Sequence, residues 1–361
     1  MNITLAGLMA FSLLSCGEKP STQPDDSVIP SSSSQETSVP DASGAVESTV
    51  SSVAEVPASD SSSKSDLSTA DLSTADLSGT DTSAPGDTSS AAEATESATP
   101  TPGEPITKKQ IALTDDLEFA GFSKIHTDSA ILYENHKENS NGITICVNAG
   151  HGTNGGESQR TQCHPDGTPK VTGGSTSEGS TTAMAVASGM TFLDGTEERA
   201  VTLPAAIFFR DRLLDAGYNV LMIRETEDVQ LDNIARTVLA NNYAQAHVAL
   251  HWDSSESDKG AYYMKVPSVD SYKSMYPVSE TWEKSDALGE CLVEGLRQAG
   301  RKIYGSGSIE MDLTQTSYSK VPSIDIELGD RASDHSDEQL QNIAEGLLIG
   351  VNSYFGIGGV G

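Results

Sequence analysis

Between Phe11 and Phe119 the chain contains no Phe, Trp or Tyr. Ser, Thr, Asp, Ala and Pro dominate that interval, and such a segment cannot bury enough apolar surface to offset the entropy of ordering it. The 361 residues would allow two domains by length alone. The missing aromatics restrict a core to the C-terminal two-thirds, so one folded domain is expected. Residues 16–105 read instead as a disordered tether, including a five-residue repeat, DLSTADLSTADLSG, over residues 66–79. That period matches no packed repeat architecture, and the composition keeps the stretch solvated and partly extended.

Residues 17–105 hold sixteen acids against Lys19 and Lys64, and the formal net charge of the whole chain is -30. Binding nucleic acid requires clustered Lys and Arg to neutralise phosphates, so nucleic acid is excluded as a partner. The N-terminus carries an apolar run, Ile3 to Leu14, too short to span a bilayer as a mature helix. Residues 1–15 therefore read as an export signal, and Leu13-Leu14-Ser15-Cys16 resembles the lipobox of bacterial lipoproteins. That resemblance implies an acylated Cys16 that anchors the protein to a membrane, on the outer side of the cytoplasmic barrier in the cell envelope. No Lys or Arg precedes the apolar run, which departs from the usual signal pattern. Cys146, Cys163 and Cys291 remain, an odd number, so at least one thiol is free. Cys146 lies in an apolar run and reads as a buried small hydrophobe.

After a lead-in segment, residues 106–142, short β-rich runs alternate with longer helical ones. This pattern predicts an α/β domain over residues 143–356 with a largely parallel sheet. Strands are expected at Ile143–Val147, Val220–Arg224, Val248–His251, Tyr262–Val266 and Ser323–Glu327. Helices are expected at Glu198–Ala216, Asp232–Gln245, Ser285–Tyr304 with Ser285 as cap, and Asp337–Tyr354. Pro204 implies a kink or a late start in the first helix. The Gly-rich stretch from Gly152 to Gly195 is long for a plain connection and reads as functional or mobile.

Three of these strand or helix ends carry groups able to hold a metal: His151, Glu198 and His251. Two imidazoles and one carboxylate with an open fourth position are a standard catalytic zinc set. Their wide separation means that no single spacing identifies them. Glu197 competes with Glu198, because either acid would suit the first turn of a helix. His247 would share a face with His251 on a helix, but the short apolar run predicts a strand, with His247 at a surface or edge. His164 reads as a loop histidine with no further ligand nearby.

The segments NAGHG (148–152), EERAVTLPAAIFFRDRLLDAGYNVLMIRETED (197–228), LDNIARTVLANNYAQAHVALHWD (231–253) and VPSIDIELGD (321–330) occur in a definite order. In that order and context they resemble the motifs of the zinc-dependent N-acetylmuramoyl-L-alanine amidases, over residues 143–355. The resemblance implies a twisted, mostly parallel sheet with helices on both faces. It also implies zinc held by His151, Glu198 and His251, with Glu327 as the catalytic carboxylate that handles the proton of the activated water. The implied substrate is peptidoglycan, cut between the lactyl group of N-acetylmuramic acid and L-alanine. Asn148 stands where the family usually has Asp, Trp252 and Asp253 replace a small residue and Asn, and Asp330 and Arg331 replace an aromatic or apolar pair. The sequence names no protein activator, and the Gly/Ser/Thr-rich residues 157–197 suggest a flap rather than a helical plug. Two other readings are a cysteine hydrolase built on Cys146 or Cys163, and a wall-binding lipoprotein that keeps the fold without activity.

Overall fold

A period-two alternation of apolar and polar side chains decides which way the central strands face. Residues 246–253 read A-H-V-A-L-H-W-D and residues 323–330 read S-I-D-I-E-L-G-D, and successive strand residues point to opposite faces. The computed structural model describes residues 104–358. The export signal, Cys16 and the tether as far as residue 103 lie outside the described residues.

The strands are β1 (Ile106–Ala112), β2 (Ser129–Asn135), β3 (Thr144–Ala149), β4 (Arg160–Gln162), β5 (Thr182–Met184), β6 (Asn219–Met222), β7 (Ala246–Asp253), β8 (Ala261–Lys265), β9 (Ile303–Glu310) and β10 (Ser323–Asp330). The helices are α1 (Glu198–Asp215), α2 (Asn233–Tyr243), α3 (Asp270–Lys273), α4 (Val278–Gln298), α5 (Thr314–Tyr318) and α6 (Asp337–Phe355). Eight strands form one sheet in the order β1-β2-β6-β3-β7-β10-β8-β9, and β4 and β5 form a separate hairpin. The centre, from β6 through β3 and β7 to β10, is parallel. The expected mostly parallel α/β fold is therefore present.

One face of the sheet packs Ile145, Val147, Val248, Leu250, Ile324 and Ile326 against α1, α4 and α6 in the main core. The other face places Cys146 and Leu221 against Ala235 and Leu239 of α2. Asp232 caps α2 as expected, accepting a 2.8 Å hydrogen bond from the Ala235 amide.

Several boundaries differ from the sequence reading for identifiable reasons. Residues 106–142 supply β1 and β2, which pair with each other and, through β2, with β6. α4 starts at Val278 rather than at Ser285, which lies buried inside the helix and accepts a hydrogen bond from the Ser323 amide at 3.0 Å. It ends at Gln298 because Gly300, at φ 81°, turns the chain and the Arg301 amide reaches back to the Leu296 carbonyl. That turn frees residues 303–310 to form β9. α1 begins at Glu198 and runs through Pro204, losing one amide from its ladder.

Candidate metal centre

The C-terminal ends of β3 and β7 and the first residue of α1 meet at one point. His151 follows β3 in a left-handed conformation, φ 61°, unusual for a residue with a Cβ. Two buried guanidinium groups hold the chain in that shape. Arg236 donates to the carbonyls of His151 (2.7 Å) and Ala149 (3.3 Å), and Arg224 to those of Ala149 (3.1 Å) and Gly150 (3.0 Å). Burial and mutual repulsion lower Arg236 to about 9, and burial with the charge of Arg199 lowers Arg224 to about 10, so both remain cationic at neutral pH.

His151 Nε2, Glu198 Oε1 and His251 Nδ1 form a triangle with sides of 3.0, 3.2 and 2.9 Å. Ligands about 2.0–2.1 Å from a tetrahedral zinc stand roughly 3.3 Å apart, so a small ion fits among these atoms with little adjustment. His151 Nδ1 lies 2.7 Å from the Ala187 carbonyl, which can only accept. The proton therefore sits on Nδ1, and the lone pair of Nε2 points into the triangle. Glu198 accepts hydrogen bonds from the amides of Trp252 (2.9 Å) and Met190 (2.8 Å), one on each oxygen. Burial would raise its pKa, but the hydrogen bonds and charges of the two imidazoles hold it well below the usual carboxylate range. Gly189 lies against this group at φ 91°, where a Cβ would stand 2.8 Å from His151 Cδ2 and 2.9 Å from Glu198 Oε2. A side chain there would displace both.

The donor set suits a divalent cation, being one buried anion and two imidazoles, of which His151 has its lone pair directed inward. Glu198, not Glu197, belongs to it: the Glu198 side chain is 3% exposed and Glu197 58%, turned outward onto Arg199. Burial would make His251 harder to protonate, yet Asp325, Glu198 and Glu327 raise it to about 9. Three acids crowded about one imidazole are a setting in which a cation would be favoured.

Glu327 pairs in register with His251 across β10 and β7 and lines the same cleft, of about 700 Å³. Its Oε2 has no hydrogen-bond partner among the described residues. Desolvation and the neighbouring Asp325 raise its pKa well above the ordinary glutamate value. Asp325, two residues earlier on the same strand face, also lines the cleft, with Oδ2 3.6 Å from His251 Nε2.

Part of the cleft wall comes from the Gly-rich insertion, which folds as the β4–β5 hairpin and its flanking loops. Asp312 fastens it. His164 Nε2 reaches the two Asp312 oxygens at 3.0 and 2.9 Å, Lys170 Nζ reaches Oδ1 at 3.2 Å, and the Val171 amide donates to Oδ2 at 2.8 Å. His164 lies in the loop after β4, as the sequence suggested, and is buried there against an acid partner. His247 is also fully buried rather than at a surface or edge. Burial and the charge of Arg236 lower its pKa to about 3, so it stays neutral and faces the Asn148 amide at 3.3 Å. Asn148 in turn accepts from Arg236 at 3.0 Å, so it supports His151 through the guanidinium. Cys146, Cys163 and Cys291 are all buried, and no disulfide joins any two of them among the described residues. Burial pushes the Cys146 and Cys163 thiols up, the opposite of an activated nucleophile, which removes the cysteine-hydrolase reading.

Arg224, Arg236, Asp312 and Asp325 escaped the sequence reading. For Asp325 a signal was present in the alternation Ser323, Asp325, Glu327, which puts it on the face that carries Glu327.

A family profile described as N-acetylmuramoyl-L-alanine amidase matches residues 145–352. The chain belongs to this family. Among solved structures it is similar to the amidase Ami1 of Mycobacterium smegmatis, with 18% identity, 60% of this chain and 97% of that chain covered, and a TM-score of 0.49. It is also similar to an N-acetylmuramoyl-L-alanine amidase from Clostridium difficile 630, with 18% identity, 61% and 100% covered, and a TM-score of 0.44. A third is the amidase AmiC2 of Nostoc punctiforme, with 18% identity, 60% and 99% covered, and a TM-score of 0.43. No curated protein gives a significant match. The amidase match covers the centre of the sheet, all six helices but for the end of α6, and each residue of the metal centre.

Proposed function

We propose that this amidase hydrolyses the bond between the lactyl carbonyl of N-acetylmuramic acid and L-alanine in peptidoglycan, with zinc held by His151, Glu198 and His251 and with Glu327 as the proton-transfer group. One observation carries the proposal: three donor atoms from separate elements converge within 4.8 Å of one another, beside an acid with an unpartnered oxygen. Zinc at that point would polarise the scissile carbonyl and make water a stronger acid at neutral pH. The protein's own part is then proton management. Glu327 takes a proton from the attacking water as its oxygen bonds to the carbonyl carbon. It delivers that proton to the departing nitrogen as the C–N bond breaks, leaving a lactyl carboxyl group and a free L-alanine amine. A carboxyl group with a raised pKa suits both halves of this cycle, because it holds the proton between them. The Arg224 and Arg236 contacts keep the His151 turn in place throughout.

No helix among the described residues is long and apolar enough to cross a membrane. We place the domain in the envelope on sequence grounds, with signal 1–15 removed, Cys16 acylated and residues 16–105 spanning from membrane to wall. The folded domain is taken to begin near Ile106, since β1 and β2 belong to its sheet.

Digestion of purified peptidoglycan by the full-length protein tests the reading. New amino termini on L-alanine should appear without new reducing sugar ends, stop on chelation and return with zinc. Release of reducing ends alone, or no release by a zinc-loaded folded chain, would overturn it.

A further inference from the structure

We propose that Asp325 is a positioning residue that orients the His251 imidazole for metal binding by presenting a carboxylate to Nε2 at ion-pair distance. The inference rests on the metal centre described under the proposed function and adds a residue to it. An imidazole that offers one nitrogen's lone pair to a metal carries its proton on the other nitrogen, and that N–H needs an acceptor to fix the ring. For His151 the acceptor is the Ala187 carbonyl at 2.7 Å. His251 turns Nδ1 into the triangle with His151 and Glu198, so its proton belongs on Nε2. The acid facing Nε2 is Asp325, with Oδ2 3.6 Å away and the two side chains 17–18% exposed.

The strand register explains how Asp325 arrives there. β10 lies parallel to β7, with Glu327 beside His251 and Asp325 beside Ala249. Residues paired this way point to the same face, and the short Ala249 side chain leaves the diagonal from Asp325 to His251 open. Asp325 has no other ion-pair partner among the described residues, and a mostly buried carboxylate without one is unfavourable. Nor does it join the donor cluster, whose three members are His151, Glu198 and His251. Its contact is with the outer nitrogen of a ligand, not with the metal position. A carboxylate there strengthens the imidazole as a donor and restricts its rotation, whereas an amide or hydroxyl would supply at most the second effect.

The test uses the full-length protein and measures zinc affinity by competition with a chromophoric chelator, the absorption spectrum of the cobalt-substituted form, and the thermal midpoint of the metal-free form. Asp325→Asn should bind zinc about 10–100-fold more weakly than wild type. At saturating cobalt it should show the wild-type spectrum, and its metal-free midpoint should not fall. Asp325→Ser, too short to reach the ring, should show the same loss, and it serves if the Asn variant does not fold. Asp325→Glu should recover part of the affinity. Zinc affinity within a factor of about three of wild type in both folded Asn and Ser variants would overturn the role, since an outer-partner loss is at least about tenfold. So would a cobalt spectrum showing one protein ligand fewer, because Asp325 would then be a ligand. A wild-type chain that binds no zinc would overturn the metal centre together with this role. That result is distinct from equal binding by wild type and variant.

Discussion

Asp312 and Glu327 line the same cleft, and their surroundings are opposite. Asp312 is saturated: His164, Lys170 and the Val171 amide all donate to it, and although burial opposes ionisation, these donors hold its pKa below the usual range. Glu327 keeps one oxygen without a hydrogen-bond partner among the described residues, and its pKa is raised by desolvation and by Asp325. An acid whose every lone pair is engaged cannot exchange protons cheaply, and it fastens two segments together. An acid left unsatisfied near neighbours of like charge is poised to accept a proton. The difference separates a structural histidine–acid cluster from a chemical one within a single wall, although both look alike as lists of residue types.

The largest expected effect comes from removing a donor on the chemical side. His251→Ala should abolish wall digestion and weaken zinc binding by more than the roughly 10–100-fold expected for an outer partner. The metal-free thermal midpoint should stay close to wild type. Retained zinc in that variant, measured by native mass spectrometry, would break the distinction.

On the structural side, Asp312→Ala leaves Lys170 and His164 buried without their acid and should lower unfolding free energy by about 3–5 kcal/mol, read from denaturant titration. Zinc affinity should change little in the fraction that remains folded. The pH dependence has a defined sign. Because the folded pKa of Asp312 is depressed, its contribution is present above the ordinary aspartate value, about pH 4, and is lost as pH falls through the lower folded value. The stability gap between wild type and Asp312→Asn should therefore close on acidification below that point.

The smallest effect concerns Glu327 in the metal-free chain. Its folded pKa is raised, so the contribution of its protonated form is present below the ordinary glutamate value and lost as pH rises through the folded one. Above that folded value the buried charge is a burden. Metal-free Glu327→Gln should then be more stable than wild type by about 1 kcal/mol, the scale of one unsatisfied buried group. A loss of stability would place Glu327 with Asp312 as a structural acid.

The sequence made the sheet centre legible because β3, β7 and β10 are short apolar runs whose polar residues fall at strand ends or alternate positions. It brought His151, Glu198, His251 and Glu327 forward through motifs that recur in a fixed order. β9 was hidden because residues 303–310, IYGSGSIE, hold two glycines that β-propensity disfavours. α4 was misplaced because residues 279–284 are mostly polar, and its start depends on packing rather than on a capping side chain. The Asp312 cluster could not be read at all, since His164 and Asp312 are 148 positions apart and only the folded insertion joins them. His247 was misjudged because a lone histidine in a strand carries no sign of what covers it. Here the cover includes Asn148 and, through its charge, Arg236.

Zinc content and peptide release measured on the same sample of full-length Glu327→Gln test the central claim most directly. The Gln side chain keeps the shape and removes the base. Zinc should be retained at the wild-type level, while release of L-alanine-terminated peptides falls by about 10²–10⁴, the usual worth of a positioned proton-transfer group. Wild-type release by the zinc-loaded variant, or loss of zinc along with activity, would contradict the account.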